Sequence, residues 1–387
     1  MGLVGGADRR QRLRLDAGYV PTSRTPRLAQ SRSRTETVPL PEYAASRPQA
    51  LILLSSAREL PLSEPADHRL STGFFLVEVA AVLARFENDY DFILATPDGK
   101  PPQLDMNGLG LSFHAGRSTG TAAARTTLQS AGKRFTPEGL RRKNPELVER
   151  RDAELALARR HLGRISVSAP LPRTDKEAVS IRDEVVAGFE ALPEKTYFSI
   201  QELIERHRDP DTAFSFQDLA FVHALGGHGP MVDFHANPWM GELLHSLREN
   251  RVPISLICHA PVALTSARYR VAEDGGVTTD DRHAFKGAKI TTFAQVAERI
   301  VLASQYPKVP GRRTRLPYFV DVALKDAGYD VSLAVSPSGV KVVWAERHAL
   351  LTGNGPQAID AQTARLAEIT RSRPSARTGA GRGRRNA

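Results

Sequence analysis

One cysteine in 387 residues leaves no means of forming a disulfide within the chain, and with it goes the stapled framework of small secreted domains. No apolar stretch reaches the roughly 18 residues that a membrane-spanning helix requires. The N-terminal residues lack the apolar core of a secretory signal, so the expected location is cytoplasmic. Aromatic residues are sparse, at 6%, and none interleaves with the basic runs to build a stacking platform for nucleic acid. No internal repeat is visible.

What is present is a globular composition, with 41% hydrophobic and 25% charged residues, long enough for one large domain or two smaller ones. The net charge of +10 is not spread over it. Residues 1–49 hold nine Arg against four acids and residues 371–387 hold six Arg and no acid, so the body between them is near neutral, at −1. Ends this rich in Arg and poor in apolar side chains cannot bury enough surface to offset their ordering entropy. Both are expected to be disordered tails, with neither a specific nucleic-acid partner nor a membrane partner.

The body alternates short apolar strands with helices. Strands are expected at Ala50–Ser56, Tyr90–Gly99, Asp218–Gly226 and Val252–Ile257, and helices at Gly73–Phe86 and Pro238–Asn250. This order predicts an α/β fold, a flavodoxin-like three-layer sandwich with a mostly parallel sheet. Such sheets carry their sites at the carboxyl ends of the strands. Three turns fall there: Ser55-Ser56, Gly226-Gly-His-Gly229 and Cys258-His259. The domain is expected to span 50–114 and 216–370, interrupted by a helical insertion with its return to the sheet over 115–215. In that insertion Asn144-Pro signals a helix to about Leu162, and Ser199-Ile-Gln-Glu202 reads as a capping box. The insertion is either a lid or a surface excursion. Further on, Gly287–Phe293 reads as an edge strand, Gln295–Ser304 and Leu316–Lys325 as helices, with strands near Val331 and Val340 and a last helix over Gln357–Ile369.

Cys258 stands where an apolar strand run stops and Pro261 permits a helix to start. A strand turning sharply into a helix presents its turn side chain at the open end of a sheet. The helix N-terminus favours thiolate, so a thiol pKa below the ordinary value of about 8.5 is expected. A buried structural cysteine is the alternative. Glu78 is the one charged residue in Gly73–Ala84. It lies either on the single wet stripe of its helix, the reading that spacing favours, or inside with a raised pKa. His259 follows Cys258 directly, and adjacent side chains at such a turn are expected to diverge. Its backbone N–H and that of Gly227 are candidate oxyanion donors.

Five stretches in this order resemble the ThiJ/PfpI superfamily, of class-I glutamine-amidotransferase-like fold, and within it the chaperone and glyoxalase III branch. They are Thr72-Gly-Phe-Phe-Leu-Val-Glu78, Ala95-Thr-Pro-Asp-Gly-Lys-Pro-Pro102, Leu225-Gly-Gly-His-Gly-Pro-Met-Val-Asp233, Leu256-Ile-Cys-His-Ala-Pro-Val262 and Leu351-Thr-Gly-Asn-Gly-Pro356. The resemblance implies Cys258 as nucleophile, His259 as its base, Glu78 as the acid that hydrogen-bonds the sulfur and Glu298 as the third triad member. It also implies Gly226, Gly227 and His228 at the oxyanion and substrate position. Two positions depart from the pattern, Ala260 and Thr292, where the superfamily places glycine; both narrow the expected pocket. The remote His-x-Glu pair of true glutamine amidotransferases is absent, which argues against glutaminase activity.

The expected function is therefore a cofactor-independent and metal-independent enzyme of glyoxalase III or deglycase type, a lyase or hydrolase converting a 2-oxoaldehyde to a hydroxy acid, and a homodimer. The alternatives are a hydratase acting for example on an isonitrile, and a chaperone or binding module without turnover.

Overall fold

The computed structural model describes residues 47–115 and 136–372. Nearly all of both tails, and residues 116–135 of the insertion, lie outside them. Arg371 and Ser372, assigned above to the tail, complete the last helix.

The central sheet has seven strands: β1 (Gln49–Leu53), β2 (Asp91–Thr96), β3 (Phe198–Ser199), β4 (Leu219–Ala224), β5 (Ile254–Ile257), β6 (Val342–Ala345) and β7 (Leu350–Gly353). Their order is β6-β7-β5-β4-β1-β2-β3, and every pair is parallel except β6 with β7. The α/β sandwich with a mostly parallel sheet is thus present. Its interior strands are continuous apolar runs because both faces are covered. Leu51 and Leu53 pack with Val222, Ala224, Ile254 and Leu256 on one face. Ala50, Ile52 and Leu54 pack with Phe221, Leu225 and Ile257 on the other. The first face is covered by α4 (Ile200–Arg208), α5 (Pro238–Glu249), a 3₁₀ segment (Ala260–Arg268) and α7 (Val320–Asp326). The second is covered by α1 (Leu76–Phe86), α2 (Pro145–Leu162), α3 (Arg182–Glu190) and α8 (Ile359–Ser372).

Several expectations change. The 287–293 segment is no edge strand of the sheet: Lys289–Ile290 pairs with Asp330–Val331 in a separate ladder, and the antiparallel β6 forms the edge. The helix expected from Leu316 starts at Val320. Tyr269–Val271 pairs with Val277–Thr279 where no strand was expected. The described part of the insertion is also no excursion. Leu155, Ala158 and Leu162 of α2 and Phe189 of α3 belong to the same core as Val79 and Leu83 of α1, and fully buried Arg151 is held by two hydrogen bonds to Glu177, at 2.6 and 2.9 Å, and one to the Leu109 carbonyl. Asn144 precedes α2 as expected, but its amide donates to the Leu140 carbonyl instead of capping α2. Ser199 does cap α4, accepting from the Glu202 N–H. Among the described residues no helix is long and apolar enough to cross a membrane.

Candidate active site

Cys258 follows β5 directly and has φ = +61°. That is left-handed backbone, which costs an L residue roughly 1–3 kcal/mol unless its surroundings hold it. Here they do. The Cys258 N–H donates to the Gly353 carbonyl of β7 at 2.9 Å, and the Cys258 carbonyl accepts from the Phe293 N–H at 3.0 Å and the Thr292 hydroxyl at 2.8 Å. Thr292, a departure from the resembled pattern, is thus a clamp on the turn. The chain then winds as 3₁₀ from Ala260.

The turn places three predicted side chains in one line. Cys258 Sγ lies 3.2 Å from His259 Nδ1, so the adjacent side chains converge where divergence was expected. His259 Nε2 lies 2.8 Å from Glu298 Oε2. Glu298 is in the first turn of α6 (Gln295–Ser304). An Nε2–H donated to this carboxylate leaves the Nδ1 lone pair facing the sulfur. Phe293 stacks on the His259 ring at 5.1 Å and holds its plane. His228 is the fourth member: its Nε2 lies 3.0 Å from Glu298 Oε1, and its ring centroid lies 4.7 Å from that of His259.

Burial acts on all of these groups, with different results. It opposes charge on both imidazoles. For His259 it prevails, aided by neighbouring His228, and the pKa is lowered. For His228 the charges of Glu298 and Asp105 outweigh it, and the pKa is raised. Glu298 is held ionised against its burial by the two imidazoles, far below the usual carboxylate range. Glu298 thus lies between His228, whose charged form its own charge favours, and His259, whose neutral form burial favours.

Glu78 is fully buried, not on a wet stripe. Gly226 donates its N–H to Glu78 Oε2 at 2.9 Å, while Oε1 has no hydrogen-bond partner among the described residues. The helix carrying Glu78 is tied to the sheet by buried His223, which contacts Ser255 Oγ at 3.0 Å and the Glu78 carbonyl at 3.1 Å. Burial pushes the Glu78 pKa up to about 8, against the Gly226 N–H and the Cys258 thiol. The thiol moves the same way: burial first, then the charge of Glu78, raise it well above its ordinary value, with the Gly227 N–H opposing. The expected low-pKa thiolate is therefore corrected. Cys258 and Glu78 compete for one proton, and a neutral Glu78 removes the charge that, after burial, does most to raise the sulfur's pKa.

The two glycines are required by contact. A Cβ on Gly226 would stand 2.4 Å from Cys258 Cβ and 3.0 Å from Glu78 Oε2. Gly227 has φ = +83°, and a Cβ there would lie 1.9 Å from the Gly73 carbonyl oxygen. Gly226 spends its N–H on Glu78 and is turned away from an oxyanion role. The amides of Gly227 and His259 have no backbone acceptor among the described residues. Ser55 and Ser56, at the end of β1, close on the Asp233 carboxylate instead.

A cavity of about 320 Å³ opens over Cys258, lined by His228, His259 and Glu298 and by Phe75, Phe113 and Tyr306. None of the last three was foreseen as lining, although Phe75 lies in the first resembled motif; for Phe113 and Tyr306 only the contact with the sulfur's cavity marks them. No described residue of 136–195 lines it. One donor atom each from His228, His259 and Glu298 lies within 4.8 Å of the others, a set able to accept a divalent ion, although all three already satisfy one another by hydrogen bonds.

No protein-family model matches the chain, and no curated protein matches it in sequence. Solved structures do. Rapid Encystment Protein 24 KDa from Francisella tularensis is 13% identical, with 84% of this chain and 99% of that chain covered and a TM-score of 0.45. Glyoxalase III from Candida albicans is 15% identical over 83% and 96%, with a TM-score of 0.43. DJ-1beta from Drosophila melanogaster is 13% identical over 84% and 95%, with a TM-score of 0.34.

Proposed function

We propose that the protein is a cysteine-dependent enzyme of glyoxalase III type that converts a 2-oxoaldehyde and water to a 2-hydroxy acid. The observation that carries this reading is the Sγ–Nδ1 contact of 3.2 Å continued by the Nε2–Oε2 contact of 2.8 Å, at the floor of a cavity.

In this reading His259 Nδ1 takes the thiol proton as the sulfur adds to the aldehyde carbon. A raised thiol pKa suits transfer concerted with attack better than a standing thiolate. The Gly227 and His259 amides hold the resulting oxyanion. The hydrogen on the aldehyde carbon then moves as a proton to the neighbouring carbon, with His259 and Glu78 relaying it, which turns the thiohemiacetal into a thioester of the hydroxy acid. Water cleaves that thioester and returns the proton to sulfur. Glu298 keeps His259 in the required tautomer and stabilises its imidazolium.

The test is to incubate the purified protein with methylglyoxal, phenylglyoxal and an aryl isonitrile, following lactate, mandelate and formamide formation, with Cys258→Ala as control. Hydroxy acid formed by the parent and not by the variant supports the reading. Formamide alone would place the chain with the hydratases, and no product with any of the three would leave a non-catalytic module as the better account.

A further inference from the structure

The walls of the cavity say more about the substrate than its floor. Phe75 and Phe113 meet edge to face, with centroids 5.1 Å apart and planes at 89°, and form an aromatic corner beside Cys258. Ile300, Val301 and Pro337 supply apolar surface elsewhere in the lining. Among the described residues no Lys or Arg lines the cavity. The one ionised carboxylate there, Glu298, is already bonded to two imidazoles. Among the described residues, a carboxylate or phosphate on the substrate would find no cationic side chain other than His228, which already pairs with Glu298, and it would approach Glu298 and Glu78, at a cost that burial magnifies. Tyr306 brings a hydroxyl with no hydrogen bond among the described residues. Its phenol stays protonated, because burial and the nearby acids Asp105 and Glu298 push its pKa up, so it keeps a proton to donate to a substrate carbonyl oxygen. Cys258 is 4% exposed, which suits a small free molecule and not an adduct on a protein surface. The volume lies at the lower end of the roughly 300–1,000 Å³ usual for small-molecule sites.

Resting on the function proposed above, we infer that the substrate is an uncharged arylglyoxal-class compound, a 2-oxoaldehyde whose 2-oxo carbon bears an aromatic ring. The ring fills the corner made by Phe75 and Phe113, where offset or edge-to-face contact favours a third aromatic group. Tyr306 donates to the 2-oxo oxygen, and the aldehyde carbon faces the sulfur. Methylglyoxal leaves the corner empty, and glyoxal compounds with an acid group are rejected.

The test separates binding from turnover. Titration calorimetry on full-length Cys258→Ala uses three probes that cannot form the aldehyde adduct: 2-hydroxyacetophenone, hydroxyacetone and phenylglyoxylate. The expected order is 2-hydroxyacetophenone tighter than hydroxyacetone by at least about tenfold, with phenylglyoxylate weaker than 2-hydroxyacetophenone by a similar factor. In the protein with Cys258 intact, kcat/KM for phenylglyoxal should exceed that for methylglyoxal, and Phe113→Ala should shrink this ratio by about tenfold; a thermal melt checks that the variant is folded. Equal binding of the two hydroxyketones, or tight binding of phenylglyoxylate, overturns the inference whatever the enzyme does. The expected binding order without turnover of either aldehyde would support the arylglyoxal-shaped pocket and overturn the catalytic reading instead.

Discussion

The hydroxyl of Thr292 donates to the carbonyl of Cys258 at 2.8 Å, so a side chain outside the reactive line holds the backbone turn that aims the sulfur. Thr292→Val keeps the shape and removes the donor, while the Phe293 N–H still serves the carbonyl. Denaturant unfolding should show a loss of about 1 kcal/mol. A loss beyond about 3 kcal/mol would mean that the hydroxyl does more than clamp this turn.

Glu298→Gln should lower kcat/KM by about 10²-fold or more, since the base loses the group that sets its tautomer and stabilises its imidazolium. The pH profile should move as well. Glu298 raises the His259 pKa against burial, so without its charge His259 stays neutral to still lower pH. The acid limb should shift downward; an upward shift contradicts the assigned role.

The Glu78 pKa is raised in the folded protein to about 8 from an ordinary value of 4.5. Folding therefore favours its protonated form, and its contribution to stability is full below about pH 4.5 and fades as pH rises through about 8. Melting curves of the parent and of Glu78→Gln between pH 4 and 9 should diverge in favour of the variant as pH rises. A constant difference would show that the carboxyl is not titrating in this window.

Gly226→Ala puts a Cβ 2.4 Å from Cys258 Cβ, a backbone-to-backbone crowding that no rotamer relieves. Overpacking of this kind costs about 1–3 kcal/mol, and Cys258-dependent turnover should be lost while the far-ultraviolet dichroism stays that of the parent.

Phe189→Ala, in α3, reads the insertion. Because Phe189 is fully buried in the core that carries α1, the variant should lose about 3–5 kcal/mol. A loss under 1 kcal/mol would restore the picture of a surface excursion. For the same reason, replacing residues 136–195 by a short linker should unfold the sheet's second face, contrary to what the low apolar content of the segment suggests.

The strands at 50, 91, 219 and 254 were readable because parallel strands buried on both faces leave uninterrupted apolar runs. The short strand Leu350–Gly353 was not, since four residues carry too little period to stand apart from a turn. The α2 segment misled for another reason. Its buried face includes Arg151 and Glu154, whose charges are matched inside the fold, so its hydrophobic contrast is weak although its packing is not. Cys258, His259, Glu78 and Glu298 were nameable through the superfamily resemblance of the motifs, but only the structure places Glu298 between two histidines and Glu78 fully inside. Tyr306 and Phe113 lie in stretches without any motif.

The bond from the Cys258 N–H to the Gly353 carbonyl has a consequence for biosynthesis. β7 inserts between β5 and β6, so until residue 353 has left the ribosome, β5 is an open strand edge and the turn at Cys258 lacks one of the contacts that hold it. A nascent chain can build the five strands from β5 to β3 much earlier. The reactive geometry is therefore among the last parts of the molecule to form, and a truncated product of translation ending before β7 would carry an unpaired parallel edge, a hazard for aggregation, and an unformed site.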